Sequence, residues 1–99
     1  MKDFKITSET NNSQYEYKND SIIVQGSAVK DVTTGVVQSI SGSCYRNNQN
    51  EMGEYFGNFN GYMRDGVIRY SVSEMTRQDS NLVWAAIDDI EVNFVPVDE

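Results

Sequence analysis

Fifteen carboxylates, six tyrosines, a single cysteine and no histidine are the side chains on which this 99-residue chain could build chemistry. Proton transfer at neutral pH most often uses imidazole, so a catalytic reading has to rest on carboxylates, Tyr or Lys. The densest acidic group is Asp88, Asp89 and Glu91. A glycosidase-type pair needs two carboxyl groups held at a set separation across a bond. Spacing along a chain does not set one, and acidic runs are usually solvated. Cys44 would need a base or cation beside it to become a thiolate, with only Arg46 or a lysine on offer. One thiol without histidine builds neither a zinc site nor a redox pair, so Cys44 reads as a small packing residue.

The oxygen-rich stretch from Asn47 to Glu54 lacks the aspartate alternation of an EF-hand loop and reads as a flexible, solvated loop. Gly57 and Gly61 sit in a strand pattern and cradle no phosphate. These residue types point away from an enzyme, and no catalytic, metal or cofactor site is expected.

The elements that would position any site follow from alternation and turn chemistry. Two alternating runs between Tyr55 and Met75 flank Asp65-Gly66, a dipeptide suited to a two-residue type I′ turn. That turn sets Met63 opposite Ile68, Gly61 opposite Tyr70, Phe59 opposite Val72 and Gly57 opposite Glu74. One face is then apolar and ends in Glu74 at the solvent rim, while Tyr62–Arg69, Asn60–Ser71 and Asn58–Ser73 form a polar face. A second hairpin joins Ser21–Lys30 to Val36–Tyr45 through Asp31 to Gly35. Phe4 and Ile6, then Tyr15 and Tyr17, form two short leading strands around the turn-rich Glu9 to Ser13.

From Leu82 to Val95 alternation competes with the helical spacing of Val83, Ala86, Ile87 and Ile90; strand is favoured because Ile, Val, Phe and Trp dominate. A single helical turn after Ser80 is the alternative. Gly26, Gly42, Gly57 and Gly61 inside strand patterns suggest bends that would curl the sheet. The expected fold is all-β: one domain over residues 1–99, a small antiparallel up-and-down meander. Its sheet is strongly curled or a partly closed barrel of about six to eight strands, with at most one short helical turn.

Charge narrows the function. Eight Lys and Arg against fifteen Asp and Glu leave a net charge of -7, which repels phosphate backbones and anionic lipid, so neither direct nucleic-acid binding nor membrane docking is expected. No apolar run approaches a membrane span, and the start lacks the apolar core of a signal peptide, which places the chain in the cytoplasm as an expectation.

Tyrosine offers large contact area with a polar tip, so exposed rings on the polar face are the candidate anchors of an interface. The expected function is a non-enzymatic acidic module that binds another protein with a basic surface, in the manner of an inhibitor or accessory factor. Tyr62, Phe56 and Arg69 supply contacts in that reading, and Asp88, Asp89 and Glu91 supply steering charge. Two alternatives stand beside it. A carrier of an apolar small molecule would show a cavity lined by Tyr55, Phe59, Tyr70 and Trp84, where an interface module would pack those rings. A self-assembling unit, a homo-oligomer, would pair through edge strands near Phe4 and Ile6 or near Val92 and Phe94.

Overall fold

Alternation between apolar and polar residues carries the chain through six strands, each paired antiparallel with the next. They are β1 (Asp3–Ser8), β2 (Asn12–Lys18), β3 (Ile22–Lys30), β4 (Val37–Asn48), β5 (Glu51–Arg64) and β6 (Val67–Val72), in spatial order β1-β2-β3-β4-β5-β6. This computed structural model describes residues 3–8 and 12–94. The sheet is an open, curled meander, so β1 and β6 remain as its edges.

Turn chemistry sets the registers. Asp65 and Gly66 have φ of 54° and 85°, the left-handed pair of a type I′ turn. They bring Met63 opposite Ile68, Gly61 opposite Tyr70 and Phe59 opposite Val72. The Asp31 carboxylate accepts the N–H groups of Thr33 and Thr34 at 2.7 and 3.0 Å, which folds the loop between β3 and β4. The turn at Glu9 to Asn11 lies outside the described residues.

Four expectations need correction. Asn47 to Glu54 is no solvated loop: β4 runs to Asn48, Gln49 and Asn50 turn with φ of 53° and 71°, and β5 starts at Glu51. Two consecutive left-handed residues make this a second tight hairpin, built without glycine. Gly57 pairs with Cys44, not Glu74; the β5–β6 ladder ends at Val72, leaving Glu74 exposed beyond it. Phe56 is not on the polar face. A bulge between Cys44 and Tyr45, where Gly57 and Tyr55 are the successive partners, makes Phe56 the extra residue and turns it toward the core.

The largest correction is at the C-terminal end. Residues Arg77–Glu91 form a 15-residue helix, α1, in place of a strand or a single turn. Its buried residues are Val83, Ala86, Ile87 and Ile90, the helical spacing that competed with alternation. Thr76 caps the start, its hydroxyl accepting from the Asp79 N–H at 3.2 Å. With the curled sheet offering a concave apolar face, burying one helical stripe satisfies both surfaces, whereas a seventh strand would leave that face in water.

The core therefore lies between α1 and one face of the sheet, where Tyr15, Val24, Ile40, Cys44 and Phe59 are buried under Val83, Ile87 and Ile90. Beyond the helix the chain turns so that Phe94 packs on Phe4 and Tyr15, all three ring centroids 5.6 Å apart. Val95, Asp98 and Glu99 lie outside the described residues.

Close approach in this core depends on Gly26. It stands between Tyr15 on β2 and Gly42 on β4, and the Tyr15 ring spans this gap so that its hydroxyl donates to the Ser41 carbonyl at 2.8 Å. A Cβ at Gly26 would collide with the Ser41 carbonyl oxygen and the Gly42 Cα, both backbone atoms held by the ladder. Gly26→Ala should therefore lower unfolding stability by about 3 kcal/mol or more, read by urea denaturation. Gly35→Ala, in a loop with open space and φ of 74°, should lose only about 1 kcal/mol.

Candidate functional site

With one face closed by α1, the other face of the sheet is uncovered. Its central residues alternate with core residues: Gln25 and Ser27 with Val24 and Ala28, Ser41 and Ser43 with Ile40 and Cys44, Asn58 and Asn60 with Phe59. All six are uncharged hydroxyls and amides. A shallow depression of about 170 Å³ lies among Gln25, Ser41, Ser43, Asn58 and Asn60.

Contacts within and between strands hold this surface in place. The Gln25 amide donates to Glu16 at 3.1 Å, and Glu16 also meets the Lys5 ammonium at 3.7 Å. Asn58 donates to the Tyr55 hydroxyl at 2.9 Å, and the Tyr55 ring packs edge-on against Tyr45 at 5.6 Å. Two tyrosines flank the polar centre, Tyr55 at 49 % exposure and Tyr62 at 65 %. Tyr62 pairs with Arg69 across β5 and β6, and Arg69 reaches Asp65 at 3.8 Å with both side chains largely in water. Such a pair adds little to stability and leaves the guanidinium available.

The six candidate contact residues therefore divide between two faces. Tyr62 and Arg69 share the open face. Phe56 lies on the helix side, half-buried, with the Arg46 guanidinium 4.2 Å above its ring. Arg46 in turn donates to both oxygens of Asp79 at 2.7 and 2.9 Å, fastening the first turn of α1 to β4. This fork holds the Asp79 carboxyl below its ordinary pKa, and the pairing raises that of Arg46.

Asp88, Asp89 and Glu91 lie on α1. Asp88 is exposed, but the other two carboxylates are engaged: Tyr17 donates to Asp89 at 2.6 Å and Tyr70 to Glu91 at 2.9 Å. These bonds tie the last turns of the helix to β2 on one side and β6 on the other. Burial, then the hydrogen bond to Asp89, pushes the Tyr17 hydroxyl up to about 12; burial and Glu91 raise Tyr70 further. Tyr15 is raised chiefly by burial, and burial pushes the Cys44 thiol up to about 12.

The rings named for a carrier cavity do not surround one. Phe59, Tyr70 and Trp84 pack edge to face at 6.2 and 6.1 Å, while Tyr55 sits on the opposite face. Among the described residues, no three His, Cys, Asp or Glu side chains group closely enough to hold a metal ion. No described helix is long and apolar enough to cross a membrane. No protein-family model, curated protein or solved structure matches this chain.

Sequence reasoning paired Asn58 with Ser73, Asn60 with Ser71 and Tyr62 with Arg69, half of the open face. It missed Ser41 and Ser43 as their neighbours. The signal was present in the Ser-x-Ser-x-Ser alternation from Ser39 to Ser43, but assigning it a place needed the β4–β5 register.

Raised pKa values mean that Tyr15, Tyr17, Tyr70 and Cys44 bind their protons more tightly folded than unfolded. Their contribution is complete below the ordinary values, 9.0 for the thiol and 10.0 for tyrosine; above them it is lost progressively, toward about 12 for Cys44 and Tyr17 and over a wider range for Tyr15 and Tyr70. Urea midpoints should be level from about pH 7 to pH 8 and fall steadily above pH 9–10. At pH 7, Tyr17→Phe and Tyr70→Phe should each lose about 1–2 kcal/mol by removing a hydrogen bond to a carboxylate.

Proposed function

We propose that the protein is a non-enzymatic binding module that engages another protein through the open face of its sheet. The observation that carries this reading is the arrangement of that face: neutral hydrogen-bonding side chains at the centre, held by strands, with exposed Tyr55 and Tyr62 beside them. Preorganised polar groups next to rigid aromatics lose little entropy on binding, and tyrosine is enriched where interfaces carry their energy.

The acidic balance adds a rim to this centre. Asp20, Glu51 and Glu54 are exposed toward the β2–β3 and β4–β5 turns. A partner with polar centre and basic margins fits that distribution, with the rim speeding encounter and making it salt-dependent. Asp89 and Glu91 serve chiefly to dock the helix, so the steering charge in this reading shifts from α1 to the turns. Close packing of Phe59, Tyr70 and Trp84 favours this module over a carrier of apolar molecules.

Affinity capture with the tagged protein, at low and high salt, tests the reading when wild type is compared with surface variants. Tyr62→Ala and Asn60→Arg should each abolish retention of a stoichiometric protein, and Asp88→Asn on the helix should leave it intact. Capture that survives both open-face substitutions, or that no salt concentration weakens, would overturn the proposal.

A further inference from the structure

The two edges of the sheet are unequal. β1 carries Asp3 and Lys5, and its register shifts between Ile6 and Ser8, so charge and irregularity both blunt it. β6 is less protected. It pairs with β5 without a shift from Val67 to Val72, and Arg69 is its one charged residue. Since residues 77–91 are helical, β6 is the second edge of the meander, where the sequence placed that edge near Val92 and Phe94.

Hydrogen-bond phase shows what this edge presents. The Ser73 N–H donates to the Asn58 carbonyl at 3.0 Å. Alternation along an antiparallel ladder then points the N–H and C=O groups of Val67, Arg69 and Ser71 at β5, and those of Ile68, Tyr70 and Val72 outward. Among the described residues, nothing pairs with these outward groups. On the core side of the same strand, Trp84 lies against Tyr70 at 42 % exposure; on its other side Val67, at the strand start, is 56 % exposed.

We propose that β6 pairs antiparallel with β6 of a second copy of the chain, with Tyr70 opposite its own counterpart. In this register Ile68 faces Val72 of the other copy, and each outward residue exchanges both backbone hydrogen bonds. Arg69 stands opposite Ser71. Sliding by one pair toward the turn sets Arg69 against its counterpart, a like-charge contact that sheets disfavour; sliding the other way leaves Ile68 without a partner. A second copy fits this edge because the strand is complementary to itself: apolar pairs at both ends, an aromatic pair on the axis, and no like charges in contact. The result joins two open faces into one continuous sheet. This inference stands on the β6 edge alone and does not depend on the partner proposed above.

Sedimentation equilibrium of the full chain, with two exposed substitutions, tests it. The wild type should show a monomer–dimer equilibrium below about 1 mM. Ser71→Lys places a cation opposite Arg69 and should weaken dimerisation roughly ten-fold; Ser71→Glu should tighten it by roughly three-fold or more. General charge repulsion predicts the reverse order, because Lys reduces and Glu increases the net charge of -7. Amide exchange should slow with concentration at Ile68, Tyr70 and Val72 and stay unchanged at Arg69 and Ser71. A wild type monomeric at about 1 mM, a dimer indifferent to both substitutions, or protection confined to other strands overturns the proposal.

Discussion

A side chain that is missing sets the shape of this molecule. At Gly26 the backbones of β3 and β4 come close enough that no Cβ fits, and Tyr15 crosses the gap to reach the Ser41 carbonyl. Such a local approach bends a sheet more sharply than twist alone. The bend matters because a six-stranded meander has one apolar face to hide and no second sheet to hide it. Curvature lets a single 15-residue helix cover that face, with Val83, Ala86, Ile87 and Ile90 filling the concavity. Among the described residues, polar contacts join helix and sheet as well: Arg46 with Asp79, Tyr17 with Asp89, and Tyr70 with Glu91. Burial of apolar area is non-directional; these bonds give the helix one orientation.

How far the sequence revealed this arrangement depended on the range of the forces involved. The Asp65-Gly66 hairpin was legible because turn geometry and face alternation are both local and agreed with each other. Curling glycines were legible as a class, but which of them admits a close approach depends on strands 15 residues apart. The helix was misread for a physical reason. Leu82, Trp84, Ala86 and Ile90 satisfy a period of two, and β-branched residues add strand propensity. The deciding term was the concave face waiting to be covered, a tertiary demand absent from local propensity. Phe56 shows the same limit on a smaller scale: one bulge reverses which side of the sheet a ring occupies.

The site followed the same division. Polar pairing across β5 and β6 could be read in advance, and so could the exposure of Tyr62. Acidic residues near the end of the chain were harder, since an Asp or Glu that docks a helix and one that greets a partner look alike in sequence. The difference lies in which tyrosine stands within hydrogen-bond reach, and Tyr17 and Asp89 are 72 residues apart.

That separation bears on how the protein is made. Every strand pairs with its immediate neighbour in the chain, so the sheet can assemble hairpin by hairpin as synthesis proceeds. Its cover comes last. Until α1 docks, the face bearing Tyr15, Val24, Ile40 and Phe59 has nothing over it. A chain whose sheet has formed before the helix docks shows an apolar surface, the condition under which chaperones bind and misassembly begins. Ordering cover after sheet makes prompt docking of the helix part of the folding problem.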